Sequence, residues 1–227
     1  MPIQRVRRVD RLASIRHVLV SVSDKSGLGS FIPDLIRINP DVRIYSTGGT
    51  FAEIESILGT GDPHLKSISS YTGHPEMSGG LVKTLDYKIY LGILSETYNE
   101  NHRKDVSKAS AVEFDMVVAN LYPFAAAVEQ SPSDFENARG NVDIGGPAMV
   151  RAAAKNFLRV VVVTRPDEYP TVLAEIERVG GVSFDTRFEL ARIAYEHTAA
   201  YDSAVASYFA SISPRDATRA YSFEDFR

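Results

Sequence analysis

The chain has 227 residues and a formal charge of −4, enough length for one sizeable core and no global basic field to attract nucleic acid. An anionic ligand therefore has to be held by local groups. The absence of cysteine excludes disulfides and thiolate metal sites and fits a reducing, cytoplasmic setting, and no apolar run is long enough to span a membrane.

The first stretch, residues 1–16 (MPIQRVRRVDRLASIR), is basic and lacks the apolar segment of a secretory signal. It reads as a tail or a short helix. Residues 17–23 (HVLVSVS) read as a buried strand, and 42–45 and 65–69 as weaker ones. Residues 116–121 (MVVANL) and 160–164 (VVVVT) are continuous and β-branched, as parallel strands covered on both faces should be. Helical patterns over 28–38, 51–58, 147–156 and 167–179 fall between them. This alternation predicts an α/β sandwich around a mostly parallel sheet.

A last long helix is predicted over 184–211, with Leu190, Ile193, Ala194, His197, Tyr201, Ala204, Val205 and Tyr208 on one face. His197, inside that stripe, reads as a core residue rather than a ligand. Residues 212–227 read as a polar tail or a docking arm, which leaves 17–211 as the expected domain.

Ligands of open α/β sheets sit at the carboxyl ends of strands, so the segments that follow the strands carry the candidate chemistry. Residues 21–27 (SVSDKSG) place the Ser23 hydroxyl and the Lys25 ammonium just before a helix. Ser46, Thr47, Gly48, Gly49 and Thr50 form a second such junction, where glycines permit close approach and a helix start offers N–H groups. Together they suggest a phosphate cradle, although Gly-Gly turns also occur without a ligand. It is not a Walker loop, since no GxxxxGK[ST] occurs.

Lys83 and Thr84 follow two glycines. A lysine in a desolvated or cationic place loses proton affinity and becomes usable in acid–base work; a solvated surface lysine is the plain alternative. Asn120 ends a buried strand, where a polar side chain needs partners, and Tyr122 can face the same crevice. A capping Asn with a packing Tyr fits equally well. In residues 141–147 (NVDIGGP), Pro147 suits a first helical position. Asp143 stands near Gly145 and Gly146, whose backbone amides can hold an oxygen that gains negative charge. Arg151 and Lys155, four residues apart, share a helix face; a capped helix with a solvated cationic face gives the same pattern.

Seven segments, SVSDKSGL, STGGT, SSYTGHPEM, GGLVKTL, VVANLYPF, NVDIGGPAMVRAAAKN and HTAAYD, resemble in kind and order the inosine monophosphate (IMP) cyclohydrolase domain. That domain is the N-terminal half of the bifunctional aminoimidazole carboxamide ribotide formyltransferase/IMP cyclohydrolase. The resemblance implies a methylglyoxal-synthase-like three-layer sandwich and a homodimer. It implies dehydrating closure of 5-formamidoimidazole-4-carboxamide ribotide to IMP, with no cofactor or metal and a purine ribotide as the small-molecule partner. Carried over by position, Lys83, Tyr122, Asp143 and Lys155 are catalytic, with Asn120 beside them. Ser23, Lys25 and the segment Ser46 to Thr50 bind the phosphate, and Thr84, Ile144, Gly145 and Gly146 contact the rest of the substrate.

The chain departs from the family where Leu81 replaces Arg, Asp86-Tyr87 replaces His-Pro, and Tyr90 and Leu91 replace His and a small residue. One cation and two imidazoles are thereby lost. Nothing after Phe209 resembles the formyltransferase half, so the expectation is a monofunctional enzyme, either natural or cut from a longer protein. The alternatives are a non-catalytic nucleotide-binding domain of the same fold and, from a shared fold alone, methylglyoxal synthase.

Overall fold

A computed structural model describes residues 5–74 and 84–224. In chain order the elements are β1 (Leu12–Ala13), β2 (His17–Ser21), α1 (Leu28–Ile38), β3 (Arg43–Ser46), α2 (Gly48–Leu58), β4 (Leu65–Ser67), α3 (Ile68–Thr72), α4 (Tyr87–Leu94), α5 (Glu100–Lys108), β5 (Met116–Ala119), α6 (Phe124–Gln130), α7 (Phe135–Gly140), α8 (Gly145–Lys155), β6 (Val161–Val163), α9 (Tyr169–Val179), β7 (Val182–Ser183), α10 (Phe184–Ser211) and α11 (Pro214–Thr218).

Five strands form one sheet in the order β4-β3-β2-β5-β6, with every pair parallel. All residues of β5 and β6 are buried, because helices cover both faces. The α1 helix packs on α2 and α9, while α8 packs on α4 and α10 and lies against β5 and β6. This is the three-layer α/β sandwich that the alternating pattern predicts.

The strand order fixes where a ligand can enter. From β2 the chain runs outward to β3 and β4, then returns to the other flank of β2 as β5 and β6. The direction of winding therefore reverses between β2 and β5, where Ser21 pairs with Ala119. Loops leaving these two strands diverge at their carboxyl ends and open a crevice.

Several boundaries differ from the sequence expectation. The α2 helix begins at Gly48 instead of 51, so Gly48, Gly49 and Thr50 form its first turn. The α8 helix begins at Gly145, which makes Pro147 its third residue; that position still lacks an intrahelical acceptor for its N–H, so proline is tolerated. Residues 68–69 start α3 rather than ending a strand. The stretch 167–179 splits into a 3₁₀ turn, Pro166–Glu168, and α9.

The presumed tail is also partly built in. Ala13 and Ile15 are buried, and β1 pairs antiparallel with β7. Arg187, the first buried residue of α10, fastens this corner. Its guanidinium donates to the carbonyls of Phe157, Val182, Asp10 and Leu158 at 2.9, 2.6, 2.8 and 3.2 Å. At the other end the C-terminal segment docks on α7, where the Tyr221 ring meets Phe135 edge-on and its hydroxyl bonds Glu136.

Candidate active site

The crevice at the winding reversal is a cavity of about 630 Å³, within the usual size of a small-molecule site. Its walls come from the loops after β2, β3 and β5, from Thr84 and Leu85, and from residues 140–149.

At one end, Ser23 and Lys25 face the start of α2. The Lys25 Nζ donates to the Ser23 carbonyl at 3.3 Å and lies 4.0 Å from where a Cβ on Gly49 would stand. An ammonium thus sits over the first turn of an eleven-residue helix, whose opening N–H groups lack helical acceptors. Gly48 adopts φ 55°, the left-handed region that favours glycine. Thr47 and Gly49 line the cavity with them.

Two residues expected to bind ligand have hydroxyls engaged with the backbone, and of these Thr50 also lines the cavity. The fully buried Ser46 hydroxyl donates to the Val20 carbonyl at 2.8 Å and Ser46 is not among the lining residues. The Thr50 hydroxyl accepts from the Val22 N–H at 3.1 Å and donates to the Val22 carbonyl at 3.0 Å, so it splices the β2 loop to α2. Asn120 is also committed. Its Oδ1 accepts the N–H groups of Ser23 and Asp24 at 2.7 and 2.9 Å, and its Nδ2 donates to the Asp24 carbonyl at 2.9 Å. A side chain so engaged shapes the Ser23–Lys25 loop, and it lines the cavity with one N–H of its amide still uncommitted.

At the other end, the α7–α8 junction presents Asp143, Ile144, Gly145 and Gly146. The Asp143 Oδ1 accepts the Gly146 N–H at 2.9 Å, which fixes the carboxylate at a helix start. The Gly146 amide is therefore occupied and cannot serve a substrate oxygen. Gly146 also has no room for a side chain, since a Cβ would lie 2.4 Å from Asp143 Oδ2. Buried Thr84 closes the wall, its Oγ1 3.1 Å from a Cβ position on Gly145. Tyr122 and Ile144 line the cavity with 53% and 61% of their surfaces exposed, so apolar area remains available to a ligand.

Lys155 is not brought to this cavity. It is the exposed last residue of α8, ten positions beyond Gly145, or about 15 Å along the helix axis, and it does not line the cleft. Arg151 instead stands 5.8 Å from the Tyr195 ring on α10. Lys83 and the Leu81 departure lie outside the described residues.

The other departures have visible consequences. Asp86 caps α4 by accepting the Lys88 N–H at 2.8 Å and holds His74 Nδ1 at 2.9 Å. Tyr90 is pushed up to about 12 by burial first and by Asp143 second, and its buried hydroxyl has no partner among the described residues. A residue missed as part of the site is Tyr201, whose hydroxyl oxygen accepts the Asp143 N–H at 2.6 Å. Its only sequence signal was membership in HTAAYD, and its place on an apolar stripe concealed the contact.

Fold and crevice together define an α/β protein of the methylglyoxal-synthase-like class, with a polar cleft at the winding reversal. Residues 153–225 match the family described as AICARFT/IMPCHase bienzyme. The bifunctional purine biosynthesis protein PurH of Rhodopirellula baltica is 43% identical over 194 residues, covering 86% of this chain and 36% of that protein. PurH of Neisseria gonorrhoeae is 41% identical over 203 residues, covering 89% and 38%. The crystal structure of ForH superposes with a TM-score of 0.69 at 30% identity, covering 86% of this chain and 100% of that one. Over most of its length the chain is thus similar to a part of PurH, in keeping with the IMP cyclohydrolase domain of that protein. It spans little more than a third of the length of the PurH relatives it matches.

Proposed function

We propose that this chain acts in purine biosynthesis as an IMP cyclohydrolase, closing 5-formamidoimidazole-4-carboxamide ribotide to IMP. One observation carries the proposal. A single cavity joins an anion grip, Lys25 over the start of α2, to a carboxylate fixed at a helix start, Asp143.

The chemistry asks for such an arrangement. The carboxamide nitrogen attacks the formyl carbon of the same molecule, and a carbon–nitrogen bond forms. The formyl oxygen departs as water with one proton from each of the two nitrogens. An amide nitrogen is a poor nucleophile, so holding both arms of the substrate in contact supplies much of the acceleration. Ser23, Lys25 and the α2 amides hold the phosphate, and the exposed faces of Tyr122 and Ile144 bear on the base. Asp143 takes a proton from nitrogen, as a positioned carboxylate can. Lys83 belongs to the same proposal through the family resemblance alone. A homodimer is proposed on that ground too, and light scattering of the purified chain tests it.

A nucleotide-binding domain without turnover is favoured by one observation, the position of Lys155 outside the cavity. Ultraviolet absorbance of purified protein mixed with the formylated ribotide separates the two. Cyclohydrolase activity predicts IMP formation, a kcat lowered at least a hundredfold in Asp143→Ala, and a KM raised about tenfold or more in Lys25→Ala, the loss of a charged hydrogen bond. IMP binding without any turnover selects the binding domain. Methylglyoxal released from dihydroxyacetone phosphate would replace both.

A further inference from the structure

We propose that Tyr201 is a positioning residue for Asp143, reaching across from the last long helix to set the direction of the carboxylate. The role of that carboxylate in ring closure rests on the function proposed above; the positioning itself rests on geometry.

Asp143 is held at two points. Its main-chain N–H donates to the Tyr201 hydroxyl oxygen at 2.6 Å, and its side-chain Oδ1 accepts the Gly146 N–H at 2.9 Å. The first contact fixes the peptide that carries the side chain, and the second fixes the side chain itself. Neither partner can easily move. Gly146 is buried in the first turn of α8, and Tyr201 is 9% exposed, with its ring edge-on to Phe124 at 6.3 Å. Two elements that pack directly on each other, α8 and α10, therefore hold one residue at two points.

The sequence separation sharpens the inference. Tyr201 stands 58 residues from Asp143, and packing alone would be satisfied by phenylalanine, which fills the same slot. The hydroxyl is what reaches the loop. Burial raises the Tyr201 phenol above its ordinary pKa, so the group stays protonated across the working range. Having accepted the Asp143 N–H, it retains its own proton as a donor. Without the hydroxyl, the Asp143 peptide loses its anchor while the Gly146 contact persists. The carboxylate can then turn about that remaining point, and misplacement on the order of 1 Å suffices to cost a factor near a hundred in rate.

The test is Tyr201→Phe, which deletes one oxygen. Two readouts are taken on the same protein. In the first, kcat for IMP formation is expected to fall tenfold to a hundredfold with KM changed less than twofold, since the phosphate grip lies elsewhere in the cleft. A merely structural role would lower the thermal midpoint and the active fraction while leaving kcat per folded molecule intact, and that result would overturn the proposal. The second readout does not need turnover. The Asp143 amide is expected to exchange with deuterium at least tenfold faster in Tyr201→Phe, and the Asp143 carboxyl carbon resonance to shift. If wild-type protein fails to close the ring, the functional proposal falls while this resonance still decides the positioning one. An unchanged Asp143 signal overturns it.

Discussion

Asn120 and Asp24 close a ring of hydrogen bonds across the winding reversal, with Asn120 Oδ1 accepting the Asp24 N–H and Nδ2 donating to the Asp24 carbonyl, each at 2.9 Å. The amide side chain supplies a donor and an acceptor in the order the backbone requires, which no carboxylate or alkyl group reproduces. Asn120→Asp is thus expected to set a carboxylate against the Asp24 carbonyl and to loosen the Ser23–Lys25 loop. Titration with IMP should register a loss of affinity of about tenfold, from about 1–2 kcal/mol of hydrogen bonding. An unchanged isotherm would show that the loop holds its shape unaided.

At Gly146 the crowding is steric. A methyl group there meets Asp143 Oδ2 at 2.4 Å and Leu121 Cδ2 at 2.9 Å, so Gly146→Ala has to displace the carboxylate. A drop in kcat of about two orders of magnitude is expected. The neighbouring Gly145→Ala, which meets Thr84 Oγ1 at 3.1 Å, should cost much less. Steady-state rates for the pair decide the matter; equal losses would mean that the Asp143 side chain is not what the methyl group disturbs.

Arg187 is a fully buried cation that donates to four main-chain carbonyls. Arg187→Leu removes all the donors and leaves those carbonyls without them. Urea denaturation should show a loss on the order of 3 kcal/mol or more, given about 1–3 kcal/mol for each polar group stranded in the interior. A change below about 1 kcal/mol would mean that water replaces the guanidinium.

Stability should also depend on pH through His197. Its imidazole is held below its ordinary value by burial first and by Arg165 second, with Glu168 acting the other way. The folded form therefore binds a proton more weakly than the unfolded chain. Between the lowered native pKa and about 6.5 the unfolded state carries more protons, so stability falls as pH drops through that window and is complete above it. Thermal midpoints between pH 7.5 and 5.5 should fall less steeply in His197→Gln than in the native chain. Parallel slopes would place the pH dependence elsewhere, and His17, lowered chiefly by burial, is then the next group to replace.

What the sequence made legible follows from how locally each feature is encoded. MVVA and VVV read as covered strands because β-branched runs without alternation fit a parallel sheet. The α10 bounds were recovered because its apolar stripe is long; the structure adds a cap at Ser183, which accepts the Thr186 N–H. By contrast, α5 (ENHRKDVSK) buries no residue, so no apolar period announced it. Polar residues at strand ends were found as a group, but sequence does not tell a side chain facing a ligand from one facing the backbone. Ser46, Thr50 and Asn120 all bond the backbone, and Thr50 and Asn120 line the cavity as well. Spacing placed Arg151 and Lys155 on one face, yet the rise of the helix carries Lys155 away from Asp143. Tyr201 was legible as apolar packing, and its oxygen, which does the work at the loop, was not.

The Arg187 corner also governs when the molecule can finish folding. One side chain gathers carbonyls from residues 10, 157, 158 and 182, so the segment around residue 10 has nothing to close against until residues 157–187 have been synthesised. During translation β1 must wait without its partner, because β7 is made only at residues 182–183, and a ribosome paused before codon 187 would hold that corner unfastened.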